Sequence, residues 1–282
     1  MPKPLYIVNL AGEQELFSAK KVYRSARRAG ADHFLAQRVA DIISQEVYPG
    51  IQTKQIFNRI KSLLKEKSPQ VALKFNLKEA LRKLGPSGFP FEKYVGEILT
   101  RNGYQLQLDQ LINGQCAHYE IDFLARKEKT LLIGECKYHH LPGGKVDLKV
   151  ALANYARFLD LLQGKFFKKK EYKGLKLKSI LVTNSKFTTQ VIKYSRCVGV
   201  ELLGWHYPVG QGLEYFIESQ KLYPITILPS LKNSFFPIFA ARGLMLAKDI
   251  LTLEPNDFAR TTRIPFNQIS AVIREANLLF QI

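Results

Sequence analysis

The chain has 282 residues, a mass of 32.2 kDa and 42 Lys and Arg against 24 Asp and Glu, which gives a net charge of +18 and a pI near 9.7. Its apolar fraction of 46% is sufficient for hydrophobic cores, and the length predicts about two or three domains. The sequence shows no uninterrupted apolar run of about 18 residues, no apolar signal-peptide core and only three cysteines without zinc spacing, so we expect a cytoplasmic protein and no membrane partner.

The excess of positive charge predicts a polyanionic partner, most simply nucleic acid. Its densest run, KFFKKKEYKGLKLKS at residues 165–179, places lysines around aromatic residues. Lysines in such a run can neutralise phosphates without reading the base sequence. The candidate DNA-binding residues are Lys165, Lys168, Lys169, Lys170 and Lys173. The alternative is a solvated loop in a protein whose charge only maintains solubility.

The first segment, residues 1–85, opens with two strand-like runs, LYIVNL and QELF, around Ala11-Gly12, which predicts a hairpin. Four helical patterns follow: AKKVYRSARRAG, HFLAQRVADIISQEV, TKQIFNRIKSLLKEK and PQVALKFNLKEALRKLG. Thr53 is a suitable N-cap for the third helix, and Gly85 ends the last one. The breaker-rich GPSGFP, residues 85–90, is typical of a linker.

In family order, the pieces IVNLAGEQELF, FSAKKV, RRAGA, YPGIQTKQI and VALKFNLKEALRKLG resemble the ATP-cone, the nucleotide-sensing module of ribonucleotide reductases and of the repressor of their genes. The resemblance implies that ATP or dATP binds as a regulatory ligand. The positions that match nucleotide contacts are Glu15, Ser18, Lys21 and Thr53, with Arg82 or Lys83 as a further basic contact.

This chain departs from the ATP-cone at the end of the first strand. The family usually has Lys-Arg-Asp-Gly there, and this chain has Asn9-Leu10-Ala11-Gly12, which removes two phosphate-facing charges. No Walker signature is present, so ATP hydrolysis is not expected. The alternative is a degenerate cone that is retained for packing or dimerisation.

The second segment, residues 86–223, predicts an α/β sheet with mixed strands. Its helices are FEKYVGEILTRNGY, VDLKVALANYARFLDLL and TTQVIKYSRCVG, and its strands are YQLQL, HYEIDFLA, TLLIGECKY, KSILVTN and VELLGW. In the first helix the apolar residues recur at helical spacing from Phe91 to Leu99.

Two neighbouring strands of this segment carry a candidate catalytic group. Asp122 lies near one strand end, and Glu135-x-Lys137 follows on the next strand after the short turn RKEKT, so the three side chains would meet. Glu135 and Lys137 share a strand face, and Glu92 of the preceding helix could reach the same point. Two carboxylates suit Mg²⁺ or Mn²⁺, which would activate a water against a phosphodiester. The alternative is an ordinary charged strand edge.

The order of these residues, in FEKYVGEILTRNGY, EIDFLA, IGECKYH and ILVTNSKFTTQVIKYSR, resembles the PD-(D/E)xK nuclease superfamily. Within it, the resemblance is to Mrr-like type IV restriction endonucleases and archaeal Holliday-junction resolvases. It implies a metal site of Asp122, Glu135 and the backbone carbonyl of Cys136, with Lys137 catalytic and Glu92 supporting. Many relatives carry Gln in the helix after the E-x-K strand, and here that helix offers Asn154 and Tyr155.

The third segment, residues 224–282, has only helical patterns, with breaks at Gly243, Pro255 and Pro265. It resembles the helix–hairpin–helix-like repeats of DNA repair proteins, and a helical dimerisation domain is the alternative. The predicted fold class is therefore multidomain α/β: a helical ATP-cone with a β-hairpin, a restriction-endonuclease-like α/β core with a mixed sheet, and a small all-helical C-terminal domain.

Together these features predict a metal-dependent DNA endonuclease whose activity or assembly is regulated by ATP or dATP. We expect a homo-oligomer, and nucleotide binding could act by favouring one oligomer over another. Restriction of foreign DNA is implied by the resemblance. A nucleotide-responsive DNA-binding regulator with an inactive nuclease core is one alternative. A nuclease for RNA or for branched junctions is another, because nucleases directed at the backbone read shape more than bases. His139 and His140 lack the Cys/His spacing of a zinc site.

Overall fold

The computed structural model describes residues 4–9, 12–85 and 88–281. The protein is mixed α/β and has two compact units. The helical unit comprises Met1–Ala80 and Ile225–Ile282, and the sheet unit comprises Leu81–Pro224. Most of the first and third predicted domains therefore lies in one unit, and residues 81–85 and 224 belong to the sheet unit. In the part of the chain that the structure describes, no helix is long and apolar enough to cross a membrane.

The strands in chain order are β1 (Tyr6–Val8), β2 (Gln14–Leu16), β3 (Gln105–Asn113), β4 (His118–Lys127), β5 (Thr130–Lys137), β6 (Lys145–Val146), β7 (Lys176–Thr183), β8 (Lys186–Phe187) and β9 (Glu201–Leu203). The helices are α1 (Ala19–Arg28), α2 (His33–Glu46), α3 (Thr53–Lys67), α4 (Pro69–Phe75), α5 (Leu77–Arg82), α6 (Phe89–Arg101), α7 (Leu148–Gln163), α8 (Thr189–Val198), α9 (Leu213–Ser219), α10 (Phe236–Ala240), α11 (Pro255–Thr262) and α12 (Phe266–Phe280).

The N-terminal part of the helical unit has the predicted hairpin and helices. β1 pairs antiparallel with β2, and on its other side the backbone N–H of Val8 donates to the carbonyl of Ile51 at 3.0 Å. Thr53 does begin α3, but its N-cap is Gln52 and not Thr53. Leu10 and Ala11, at the turn of the hairpin, lie outside the described residues.

The last predicted helix of the first segment, PQVALKFNLKEALRKLG, is instead two helices, α4 and α5. They are separated at Asn76, where the backbone N–H bonds back to Leu73 and the side-chain oxygen accepts from Lys61 at 3.4 Å. Asn is a weak helix former because its side chain competes for local hydrogen bonds. The C-terminal part of the same unit consists of helices and 3₁₀ turns, as expected, and Gln70 of α4 donates to the carbonyl of Leu279 in α12 at 3.0 Å.

The sheet unit contains the predicted mixed sheet, with strand order β3-β4-β5-β7-β9. β3, β4 and β5 are antiparallel, and β5, β7 and β9 are parallel. α6 buries the predicted apolar face, including Phe91, Tyr94 and Ile98. It begins at Phe89, because Pro is well accommodated in the first helical turn, so part of the predicted linker is helix. Pro86 and Ser87 of that linker lie outside the described residues.

Gly134 lies in β5 between a run of buried apolar residues and Glu135. Phe123 of β4 pairs directly across from Gly134, and a Cβ atom at Gly134 would lie 2.0 Å from the Phe123 ring. Only glycine leaves room for this ring, which is completely buried. The continuous buried run of β5 therefore ends at Gly134, and Glu135 follows as a half-buried residue.

Candidate active site

Three acidic residues lie in one row across neighbouring strands, where the β3–β4 ladder skips one pair and the β4–β5 ladder ends. The β3–β4 ladder includes Leu108 with Phe123 and Gln110 with Ile121, which puts Asp109 level with Asp122. The last pair of the β4–β5 ladder is Phe123 with Gly134, so the same register puts Asp122 level with Glu135. Asp109 has a left-handed φ of 52°, which marks a local irregularity of the strand. The topology thus brings three carboxylates to one level of neighbouring strands, as the sequence spacing predicts for Asp122 and Glu135.

Asp122 is held by the backbone of the next strand. Its Oδ2 accepts a hydrogen bond of 2.6 Å from the N–H of Cys136. Burial, together with the charges of Glu135 and Glu92, raises the pKa of Asp122 to about 7, although the Cys136 N–H and Arg157 oppose the shift. Burial and like charges both disfavour ionisation, so the raised pKa of Asp122 reflects a buried carboxyl with acidic neighbours.

The charges of Glu92 and Glu135 both act on Asp122. We call these three residues, Glu92, Asp122 and Glu135, the carboxylate cluster. Burial raises the pKa of Glu92, and the charges of Asp109, Glu135 and Glu120 add to the shift. Glu92 lies in the first turn of α6, and its Oε1 would be 2.9 Å from a Cβ atom at Gly88, so glycine leaves space for the carboxylate.

Arg157 of α7 is a site residue that the sequence patterns did not indicate directly. Its Nη1 donates to Glu135 Oε2 at 2.7 Å and to the carbonyl of Glu120 at 3.2 Å. The two side chains of the ion pair are only 21% and 18% exposed. The helical spacing offered a signal: Arg157 follows the inward-facing Asn154 by three residues.

Asn154 and Tyr155, which the sequence offered in place of the family's Gln, make other contacts. Asn154 Nδ2 donates to Ser179 Oγ at 2.9 Å inside the core. Tyr155 lies edge-on to Tyr194 of α8. The α7 residue that contacts the carboxylate cluster is therefore Arg157.

Lys137 is exposed at the end of β5, on the same strand face as Glu135. Burial lowers the pKa of His139, and the charge of Lys137 lowers it further. Cys136 is buried, and burial raises the pKa of its thiol well above the ordinary value. A neutral thiol is a poor ligand for a hard cation. The prediction for Cys136 concerned its backbone carbonyl and stays a prediction.

Within residues 4–9, 12–85 and 88–281, no group of three or more His, Cys, Asp and Glu is arranged to hold a metal ion. Mg²⁺ commonly binds one or two carboxylates and keeps several waters, so it does not require such a group. Asp122 and Glu135 are oxygen donors, and the pKa of Asp122 is raised first by burial and then by its repulsion from Glu135. A divalent cation would relieve that repulsion, and the donor set therefore fits a hard metal ion.

The lysine run forms a loop of two 3₁₀ turns between α7 and β7. Its five candidate residues, Lys165, Lys168, Lys169, Lys170 and Lys173, are exposed. The loop is anchored by a cluster of aromatic rings, Phe166, Phe167 and Tyr172, whose centroids are 5.0 to 5.3 Å apart.

Three of these lysines, Lys165, Lys168 and Lys169, line a groove of about 640 Å³ beside the turn that joins β3 to β4. The N–H groups of Cys116 and Ala117 in that turn donate to Asp160 of α7, which ties the turn to the end of the helix. The groove thus has a rigid wall and cationic side chains.

The candidate nucleotide residues lie in both units. Glu15 of β2 and Lys21 of α1 form an ion pair of 3.1 Å, and Ser18 caps α1 by accepting from the N–H of Lys21. Thr53 begins α3, directly after the segment that bonds to β1. Arg82 and Lys83 belong to the sheet unit, where the carbonyl of Arg82 accepts from Tyr138.

The chain is similar to a family model and to proteins whose descriptions state no activity. Residues 223–280 match the family model AF1548-like, C-terminal. An Archaeoglobus fulgidus protein named as uncharacterized is 34% identical over 158 residues, which cover 56% of this chain and 84% of the relative. The crystal structure of the protein of unknown function AF1548 is 29% identical with a TM-score of 0.58, over 70% of this chain and all of that one. The match to the crystal structure of protein VC1899 from Vibrio cholerae has 20% identity and a TM-score of 0.29, and it covers 66% of this chain and 52% of that protein.

Proposed function

Because the chain belongs to the AF1548-like family, whose matched members have no stated activity, we propose its function from the site itself: a metal-dependent endonuclease that hydrolyses phosphodiester bonds in DNA. The observation that carries the proposal is the crowding of Glu92, Asp122 and Glu135, which helps to raise the pKa of Asp122 to about 7. Perturbed carboxylates of this kind are typical of functional sites.

The chain's own residues would divide the work of hydrolysis. A bound Mg²⁺ or Mn²⁺ supplies charge neutralisation of the phosphodiester and a lower pKa for the attacking water. Asp122, fixed by the Cys136 N–H, and Glu135, fixed by Arg157, provide the oxygen ligands. Lys137, at the exposed strand end, orients the water or stabilises the charge that develops on the phosphate.

The DNA partner is supported by charge. The net charge of +18 and the exposed lysines of the loop at residues 165–173 suit a phosphate backbone. The groove beside the β3–β4 turn offers Lys165, Lys168 and Lys169 on one surface. Contacts of this kind position DNA and carry no sequence information.

The proposal includes a regulatory site for ATP or dATP in the N-terminal part of the helical unit. Ser18 and Lys21 lie at the start of α1, whose first turn has no acidic residue, and Lys21 is exposed. A helix start with a nearby cation favours phosphate. A nucleotide would compete with Glu15 for Lys21, so its binding is expected to break the 3.1 Å ion pair.

The test of the nuclease is cleavage of supercoiled plasmid with Mg²⁺ or Mn²⁺, by the wild-type protein and by Glu135→Gln. Glu97→Gln is the matched control, since Glu97 is a surface carboxylate of α6 in an ion pair with Arg101. We expect nicking by the wild type and by the control and none by Glu135→Gln. Cleavage that survives in Glu135→Gln, or none by the wild type on plain, methylated or branched DNA, would refute the proposal.

The test of the nucleotide site is binding of fluorescent ATP and dATP analogues. Lys21→Glu should weaken binding, and Lys20→Glu, its exposed neighbour with the same charge change, should not. Equal loss in both variants would mean that only general charge matters. A change of cleavage rate or oligomer on nucleotide addition would link this site to the nuclease.

A second candidate is a DNA-binding regulator with an inactive nuclease core. The observation that favours it is the Arg157–Glu135 ion pair, because a cation of the protein already occupies one oxygen of a proposed metal ligand. In that case the wild type would bind DNA in the plasmid assay without nicking it under either metal.

A further inference from the structure

The sheet unit contains a cavity of about 450 Å³ whose lining residues are separate from the carboxylate cluster. Its apolar wall includes Ile98 of α6, Leu132 of β5, Ile180 of β7 and Leu202 of β9. Such a volume is in the range of small-molecule sites, which are mostly apolar with a few placed polar groups.

Two cations line this cavity. Lys127 donates from Nζ to the carbonyl of Asn102 at 2.9 Å. Arg196 of α8 is exposed. Glu201, an acidic residue of the lining, is already paired with Lys178. The lining therefore has two cations, and its acidic residue Glu201 is neutralised by a lysine from outside the lining.

Ser195 supplies independent evidence for a ligand. It is only 1% exposed and lines the cavity, and its Oγ is a buried atom for which the described residues offer no hydrogen-bond partner. A buried hydroxyl without a partner is costly in a native structure. A rotation of this side chain toward the cavity would let the hydroxyl donate to an acceptor oxygen of a ligand.

We propose that this cavity binds an organic anion with an apolar body, of the chemistry of a medium-chain carboxylate. The apolar wall takes the hydrocarbon, and Arg196, Lys127 and the Ser195 hydroxyl recognise the carboxylate. Two cations match one carboxylate, whereas the apolar wall would leave most of a nucleotide's phosphates unsatisfied. The site does not depend on the proposed nuclease activity.

The test is titration of the full-length protein with octanoate, octanol and octylamine, followed by calorimetry and by the fluorescence of Trp205, the single tryptophan, two residues before the lining Tyr207. We expect octanoate to bind about tenfold more tightly than octanol, and octylamine more weakly than both, as charge complementarity of a partly exposed pair allows.

Arg196→Glu should remove the preference for octanoate, and Lys193→Glu is its matched control, an exposed residue of the same helix with the same charge change. Ser195→Leu should block all three ligands by filling the cavity. If that variant does not fold, the comparison of the two surface variants still decides. No saturable binding of octanoate, or equal binding of octanoate and octanol in wild type and Arg196→Glu, would overturn the proposal.

Discussion

Glu46 of the helical unit and Asp122 of the sheet unit are in opposite electrostatic situations. In the helical unit, Glu46 forms two hydrogen bonds with Arg59, at 2.6 and 2.7 Å, and this partner lowers the pKa of Glu46. In the sheet unit, Arg157 is bonded to Glu135, whereas the pKa of Asp122 rises to about 7 through burial and the charges of its acidic neighbours.

The difference shows which carboxylates already have sufficient positive charge beside them in the folded protein. A surface carboxylate that is paired with an arginine needs no further cation, and its replacement changes the free energy of unfolding little. A cluster of three carboxylates beside one arginine lowers stability where it is ionised, and such a cost is usually tolerated where function requires it. The comparison therefore favours the cluster as the place where an external cation would bind.

The largest effect is expected from Lys137→Ala, which removes the proposed catalytic cation at the strand end. Cleavage should fall by about a hundred- to a thousandfold, the usual loss when one charge-stabilising donor is removed. DNA affinity, measured by fluorescence anisotropy, should change much less. Lys193→Ala, at an exposed position of α8, is the control. An equal loss of affinity and cleavage would make Lys137 a binding residue.

The second effect concerns the pH dependence of stability at Asp122. The folded protein keeps this proton up to about pH 7, and the ordinary pKa is 3.8, so the contribution of Asp122 to the free energy of unfolding is complete below pH 3.8 and is lost as the pH rises to about 7. Asp122→Asn cannot ionise and should be more stable than wild type by about 4 kcal/mol near pH 8, and nearly equal to it near pH 4.

Denaturant unfolding of both proteins in a metal chelator, across this pH range, checks the prediction for Asp122. Glu97→Gln, at an ion-paired surface position, is the control and should show no such divergence. Parallel stability curves for wild type and Asp122→Asn would contradict the raised pKa.

The third effect is that of Arg157→Gln. It leaves Glu135, which is 18% exposed, without its cation, so we expect a loss of about 2 kcal/mol in a chelator. Because Glu135 Oε2 is then free, added Mg²⁺ should stabilise this variant more than the wild type. Thermal unfolding with and without Mg²⁺ measures both quantities. A loss that Mg²⁺ does not reduce would favour a purely structural ion pair.

A smaller effect is expected in the lysine loop. Replacing Lys168, Lys169 and Lys170 by Gln should weaken DNA binding and reduce the slope of log affinity against log salt by about 0.9 for each phosphate that is no longer neutralised. Anisotropy at several salt concentrations gives the slope. The same charge loss at Lys54, Lys65 and Lys193 is the control, and an equal change of slope there would refute a localised DNA surface.

The smallest effect on stability is expected for the surface ion pair of Glu46 and Arg59. Arg59→Gln removes the partner of Glu46 at the surface, and the change of unfolding midpoint should be slight and disappear at about 1 M salt, where exposed charges are screened. A large, salt-resistant change would mean that the paired and the clustered acids do not differ as described.

The sequence was sufficient for the mixed sheet and for the approach of Asp122 to Glu135, because both follow from strand periodicity and from one short turn. It was not sufficient for the break at Asn76, because a single weak helix former inside a helical pattern does not fix where the helix divides. Arg157 was missed because its role depends on how α7 packs against the sheet, and helical spacing alone does not show that Arg157 reaches Glu135. The raised pKa of Asp122 likewise needs three elements at known distances.

The most direct test of the central claim is Mn²⁺ binding by the metal-free protein near pH 8, followed by electron paramagnetic resonance. The wild type and Glu97→Gln should bind Mn²⁺ saturably, and Asp122→Asn should bind it at least about tenfold more weakly, because one carboxylate ligand is gone. Equal binding by the wild type and Asp122→Asn, or no saturable binding by the wild type, would contradict a metal site at the carboxylate cluster.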